Sequence, residues 1–195
     1  MPYPVVTAVV LPPVRRNGMR RPRRDPRDVP PVRLGTVYVL RADGRFTAWG
    51  GRHLDLADPI LVEATEVCLV QTRPQQVAVE LGLRETPERA VLIQAIFRCR
   101  VTDAVAVAEA GVIDVAAVIT GQLVLDAEIM ALAATADLVD IDEFRRRAEA
   151  RVRAFCAVAP PEIDGIEVSL AGVHVITDDD IAPRSPAAVS TEGRA

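Results

Sequence analysis

The sequence predicts an α+β domain, with an antiparallel β-rich first half, two to three helices and a closing strand. Apolar residues alternate with polar ones over residues 77–83 and 90–101, which is the period of β-strands. From residue 141 to 158 they recur at three- and four-residue steps, which is the period of an amphipathic helix. A strand-like pattern returns over residues 166–176. Strands followed by helices and a last strand indicate an α+β order.

Turn residues divide the first half into short strands. Residues 36–40 and 46–49 flank a tight turn at residues 42–45, so we expect a hairpin there. Residues 60–62 and 67–72 are further predicted strands. The polar, proline-containing residues 85–88 predict a turn between the two alternating segments.

Aspartates predict where the helices begin. Asp103 is placed to cap a helix that starts at Ala104, and Asp114 is placed to cap a longer one. Gly121 weakens the middle of that longer helix. Its expected apolar face comprises Val118, Leu123, Leu125, Ile129, Met130 and Leu132. A third helix over residues 141–158 carries Glu143–Arg147 and Glu149–Arg153 as i,i+4 ion pairs.

Charge is distributed unevenly along the chain. Residues 1–33 hold eight of the 23 arginines and eight of the 15 prolines, against two acids, which gives +6. Residues 34–195 hold 15 arginines and 25 acids, which gives −10 and the total of −4. Proline fixes φ and removes a donor, so residues 1–33 are predicted to be a disordered or extended arm, with residues 5–11 pairing as an edge strand or touching the body.

The arm suggests contact with an anionic surface, since its arginines have few acidic partners. Phospholipid and nucleic acid are both open, and so is a leader that only solubilises the chain. No aromatic residues are interleaved with the arginines, which disfavours base stacking. The predicted surface-binding residues are Arg15, Arg16, Arg20, Arg21, Arg23, Arg24 and Arg27.

The residue inventory disfavours catalysis. The chain has no lysine, which excludes Schiff-base and P-loop lysine chemistry. Ser169 and His174 stand an odd number of residues apart on one predicted strand, so they are expected to point to opposite faces. His53, Cys99 and Cys156 fit no metal or nucleophile motif, and both cysteines are predicted to be packed thiols. We therefore expect no enzyme activity, no metal and no cofactor. The three widely spaced cysteines suggest no disulfide framework, so we also expect a reducing, cytoplasmic location.

Four segments together resemble the SPFH (Band 7) domain of stomatins, prohibitins and flotillins, over residues 34–183. In family order they are GTVYVLRADGRFTAWGGRHLDLADP, VCLVQTRPQQVAVEL with VLIQAIFRCRVTDAVAVA, the helical residues 112–155, and GIEVSLAGVHVITDDDIAP. The arginine- and proline-rich residues 1–33 stand where the family has its membrane segment, and residues 184–195 are expected to be a flexible tail.

The resemblance implies a non-enzymatic scaffold or adaptor module. Such a module forms homo-oligomers, binds protein partners and lies peripherally at an anionic membrane, here the inner face of the plasma membrane. The alternative is a nucleic-acid-associated regulator that uses the basic arm, which the acidic body disfavours.

Overall fold

Two antiparallel sheets form the β part of the chain. The computed structural model describes residues 3–14, 21–50, 54–86, 89–135 and 140–177. The strands are β1 (Val5–Val10), β2 (Thr36–Ala42), β3 (Arg45–Ala48), β4 (Glu66–Gln71), β5 (Gln75–Thr86), β6 (Arg89–Val101) and β7 (Ile166–Thr177). The first sheet has the order β1-β4-β2-β3, and the second has the order β5-β6-β7. With the helices, this confirms the α+β class.

Five α-helices are described, and an aspartate side chain caps the first turn of each one. They are α1 (Pro59–Glu63), α2 (Ala104–Ala110), α3 (Val115–Leu123), α4 (Ala127–Thr135) and α5 (Ile141–Val158). The caps are Asp58, Asp103, Asp114, Asp126 and Asp140, whose carboxylates accept backbone N–H groups of the helix that follows. Each cap satisfies donors that have no intrahelical acceptor, so the sequence fixes where each helix begins.

The main core lies between the inner face of the second sheet and helices α2 to α5. Alternate residues of β6, among them Ile93 and Phe97, are fully buried there. Ile119 of α3 and Val152 of α5 pack into the same cluster, as does Val39 of the first sheet. A smaller cluster surrounds Leu40, Leu61 and Leu69. The two sheets therefore share one apolar interior.

Two predicted elements are wrong, and in both places an aspartate cap begins a helix that was not predicted. Residues 60–62 lie in helix α1, because Asp58 caps it and Pro59 stands at its first turn, where a missing N–H costs nothing. The long helix after Asp114 is two helices, because the chain turns at Val124–Leu125 and Asp126 starts α4. Leu125, expected on the apolar face, is 81% exposed.

The other described elements follow the predictions to within a few residues. The hairpin, the two long alternating strands, helix α5 and the closing strand are all present. The turn predicted at residues 85–88 lies partly outside the described residues, and so does part of the helical segment before α5. The predicted C-terminal tail lies wholly outside them.

Candidate anionic-surface site

The chain before the first predicted strand packs onto the body. Strand β1 pairs antiparallel with β4, with Ala8 opposite Cys68. After the strand, the Leu11 N–H donates to the Thr65 carbonyl at 2.8 Å. Of the alternatives for the arm, residues 5–10 therefore adopt the extended one, and they form an edge strand in the same sheet as residues 36–48 and 66–71.

Arg24 joins helix α1 to the arginine segment, which comprises residues 21–33. Its Nε donates to the Leu61 carbonyl at 2.8 Å, and its Nη2 donates to the carbonyls of Val62 at 3.0 Å and Ala64 at 2.7 Å. Its Nη1 donates to the Pro12 carbonyl at 2.7 Å. The last carbonyls of a helix have no intrahelical donor, and a planar guanidinium offers five N–H groups in a fixed fork. One side chain thus closes the end of α1.

This geometry corrects the role predicted for Arg24. Only 2% of the residue is exposed, so its guanidinium cannot contact an external surface. Burial lowers the pKa of Arg24, and the nearby Asp28 carboxylate opposes that shift. Two further contacts hold the segment: the Arg24 N–H donates to the Leu56 carbonyl at 2.8 Å, and the Tyr38 hydroxyl donates to the Pro30 carbonyl at 2.6 Å.

The neighbours of Arg24 face outward. Arg21, Arg23 and Arg27 are exposed, and in the described part of the chain none of the three forms an ion pair with a carboxylate. Asp25 lies among them, but its carboxylate accepts the Arg27 backbone N–H at 2.9 Å and caps the short 3-10 helix Pro26–Asp28. The segment therefore presents three guanidinium groups from an anchored backbone. The remaining predicted residues, Arg15, Arg16 and Arg20, lie outside the described residues.

Most arginines of α5, in contrast, form ion pairs with carboxylates. Arg146 pairs with Glu143 at 2.9 Å, where an i,i+4 pair with Arg147 was predicted. Arg153 pairs with Glu149 as predicted, also at 2.9 Å. Further ion pairs join Arg145 to Asp142, and Arg151 to Asp126 and Glu128. Carboxylates thus pair with four of the five arginines of α5, whereas the three exposed arginines near Arg24 have no such partner among the described residues.

Ser169 and His174 lie on one face of the second sheet, contrary to the expectation from their odd separation. The register with β6 shifts between Ile96 and Phe97, so that Ser169 stands opposite Arg98 and His174 stands opposite Gln94. This bulge adds one residue to β7 and reverses the later alternation. Four residues of β6 separate the two positions, which is about 13 Å and too far for a nucleophile–base contact.

The described cysteines are packed thiols, as predicted for Cys99 and Cys156. Burial raises the pKa of Cys99 to about 11. Burial and the Glu66 carboxylate raise the pKa of Cys68 to about 11. Cys156 is half-buried, and its pKa is also raised by burial. A raised pKa leaves little thiolate at neutral pH, so these environments do not activate a nucleophile.

The described residues contain no group of three or more metal-ligating side chains. Nor is any helix in the described part of the chain long and apolar enough to cross a lipid bilayer. His53 lies outside the described residues.

Comparison with known proteins gives no match: no family model fits the chain, and no curated protein and no solved structure is similar to it. The resemblance to the SPFH domain stays a prediction.

Proposed function

We propose that the chain is a non-enzymatic scaffold or adaptor module of SPFH type, which self-associates and binds protein partners. It docks on an anionic membrane surface through Arg21, Arg23 and Arg27. One observation supports this docking: Arg24 is tied to four carbonyls, while its three neighbours are exposed without carboxylate partners. The backbone that carries these exposed arginines is anchored to helix α1 by Arg24.

The charge distribution favours a defined orientation on the membrane. Residues 34–195 carry 15 arginines and 25 acids, a net of −10, and an anionic surface repels them. The arginine segment is attracted, at about 1 kcal/mol for each arginine near an anionic bilayer. Three arginines then contribute about 3 kcal/mol, which corresponds to about a 100-fold gain in affinity.

Vesicle co-sedimentation of the full chain tests the docking. We expect binding to vesicles of phosphatidylcholine with phosphatidylserine, and none to phosphatidylcholine alone. The variant Arg21→Gln, Arg23→Gln, Arg27→Gln should lose most of the binding. A control variant, Arg98→Gln, Arg146→Gln, Arg153→Gln, removes the same charge from exposed arginines elsewhere and should bind as the original chain does. Equal losses in both variants would mean that total charge, and not this segment, decides binding.

A duplex DNA arm separates the phospholipid proposal from the alternative regulator. The full chain is titrated with duplex DNA at the same salt concentration as the vesicles. Vesicle binding without comparable duplex binding supports the membrane surface. Duplex binding without vesicle binding would replace the proposal by the nucleic-acid regulator.

Light scattering of the full chain tests self-association. Deleting residues 1–33 is unsuitable for this purpose, because the deletion removes β1 from the first sheet and Arg24 from the end of α1. We expect a mass above that of the 21.1 kDa chain that rises with concentration. A monomer at all concentrations would contradict self-association and would leave the surface docking as a separate claim.

A further inference from the structure

The long edge strand β7 borders an open crevice under helix α5. Strand β7 is the outer strand of the β5-β6-β7 sheet and pairs with β6 over its whole length. Apart from a single bridge between Ile163 and Ile166, no other described strand pairs with it. From residue 168 to 177 the strand contains no proline, aspartate, glutamate or arginine, and it has one bulge, at Ala171. Prolines and charged side chains normally block an edge, and a long edge without them is a template for another strand.

Two cavities lie in line along this crevice. The first, of about 350 Å³, is lined by Arg153, Cys156, Ala157, Pro160, Pro161, Val168, Ser169 and Leu170. The second, of about 330 Å³, is lined by Arg145, Glu149, Val173, His174, Val175 and Ile176. In both, residues of α5 form one wall and consecutive residues of β7 form the other. Because inner- and outer-face residues of β7 contribute alike, the cavities lie along the edge of the strand.

The spacing of the cavities matches an added strand. The first is centred near Ser169 and the second near His174–Val175, and the bulge in β7 removes one residue of that separation. The remaining four to five residues span about 15 Å. Side chains at i and i+4 of an extended peptide lie on one face at nearly this distance, so that one such peptide can fill both cavities.

The charge of the crevice selects the peptide. Helix α5 carries five arginines against three acids, a net of +2. Each cavity has one arginine of this helix at its wall, Arg153 for the first and Arg145 for the second. The one acid in the walls, Glu149, is already paired with Arg153 at 2.9 Å, and Arg145 is paired with Asp142 at 3.4 Å. Exposed ion pairs of this kind contribute little, so the arginines can share a second carboxylate.

The geometry points to a docking site at which an extended acidic peptide of a partner protein adds a fourth strand beside β7. Aliphatic side chains at i and i+4 of the peptide fill the two cavities, and carboxylates between and beside them lie near Arg145 and Arg153. Main-chain hydrogen bonds to β7 supply affinity, and the cavities supply specificity. This site is separate from the arginine segment. It rests on the scaffold proposal and specifies the kind of protein partner that the proposal leaves open.

A bare peptide fits better than a second copy of this chain. In a second copy, the inner-face residues of β7, Val168, Leu170, Val173 and Val175, already pack beneath its own α5 or against the core. They are not free to enter the cavities of a neighbour. A segment that has no helix of its own brings side chains that are free to do so.

The test uses the full chain, labelled with ¹⁵N, and a nine-residue probe peptide of the sequence Glu-Thr-Val-Thr-Glu-Thr-Val-Thr-Glu. Its two valines stand four residues apart, on the same face as its glutamates. We expect amide shifts concentrated in residues 168–177 and α5, with a Kd below about 1 mM. A probe with arginine in place of glutamate should bind at least about tenfold more weakly. No shifts, or shifts centred elsewhere, would overturn the proposal.

Two variants of the chain sharpen the test, and both change exposed or half-exposed positions. Ala157→Phe fills the first cavity, and Arg145→Glu with Arg153→Glu reverses the charge of the crevice. Each should weaken binding of the glutamate probe at least about tenfold. Arg146→Glu with Arg147→Glu reverses the same number of charges at two exposed positions of the same helix outside the cavity walls; it is the matched control and should bind with less than about a twofold change. Equal binding by all three variants would overturn the docking site.

Backbone methylation separates strand pairing from charge attraction alone. Two probes are N-methylated on alternate residues, one on the threonines and one on the valines and glutamates. Only one of these sets faces β7 in an added strand, so one methylated probe should lose binding and the other should keep it. Equal binding by both would contradict strand addition. Concentration-dependent dimerisation that the probe does not suppress would instead assign the crevice to a second copy.

Discussion

Replacing Arg24 by glutamine should destabilise the chain by about 3 kcal/mol, through the loss of four hydrogen bonds to carbonyls. A hydrogen bond from a charged donor contributes about 1.5–3 kcal/mol, but four bonds from one group are not additive. Removing the guanidinium also removes its desolvation cost, and water can reach the Pro12 side of the site. We therefore take about 3 kcal/mol as the net effect, within the range for a broken buried network.

Urea unfolding of the original chain and of Arg24→Gln measures this difference. In thermal unfolding of a chain of this size, a loss of about 3 kcal/mol in the free energy of unfolding lowers Tm by about 6–12 °C. Arg24→Lys keeps the charge but lacks the planar fork, and it should lose most of the same stability. The matched control is Arg27→Gln, an exposed neighbour, which should change stability by less than about 0.5 kcal/mol. An Arg24→Gln loss as small as that of the control would refute this role of Arg24.

Three further predictions concern the fold and its ionisable groups. Gly165→Ala should destabilise the chain by at least about 2 kcal/mol, since φ is +73° and a Cβ would clash with the Asp103 carbonyl oxygen. At Gly121 a Cβ has open space, so Gly121→Ala should stabilise the chain by about 1 kcal/mol. Urea unfolding measures both changes, and equal effects would contradict this reasoning. Burial alone would raise the pKa of Asp126, but hydrogen bonds from Arg151 and from backbone N–H groups outweigh it, so the pKa lies below its usual value. The ionised carboxylate therefore stabilises the fold above the unfolded-state pKa, and this contribution is lost as the pH falls through the lower folded-state pKa. The difference in the free energy of unfolding between the original chain and Asp126→Asn should therefore narrow from pH 7 to about pH 3. A difference that stays constant over this range would disprove the linkage. Under native conditions at about pH 8, a thiol reagent should modify Cys156 first, because Cys68 and Cys99 are buried with a pKa of about 11; a fast phase that persists in Cys156→Ser would show this wrong.

Much of the fold could be predicted because local signals decide it. Asp103 and Asp114 mark helix starts by capping chemistry that needs no tertiary contact. Asp58 and Asp126 carry the same capping signal, but the apolar residues 60–62 favour a strand, and the apolar pattern across residue 126 favours one continuous helix. Aspartate capping alone predicts the start of α1 and the break before α4.

The candidate site was harder to predict, because its decisive contacts are tertiary. Arg24 stands among arginines, prolines and aspartates, as the other arginines of its segment do, and nothing local marks it as buried. Its partners, the carbonyls that end α1, belong to a helix that was predicted as a strand. The face of His174 was missed for a similar reason, since the bulge in β7 depends on pairing with β6.

The salt dependence of vesicle binding tests the central claim most directly. The full chain and the variant Arg21→Gln, Arg23→Gln, Arg27→Gln are titrated with phosphatidylserine-containing vesicles at about 50 mM and about 200 mM salt. We predict that at low salt the original chain binds about 100-fold more tightly than the variant. At high salt the two affinities should differ much less, because salt screens the arginines. The variant should bind weakly at both. Equal affinity of the two chains, or binding of the original chain that does not respond to salt, would contradict docking through these three arginines.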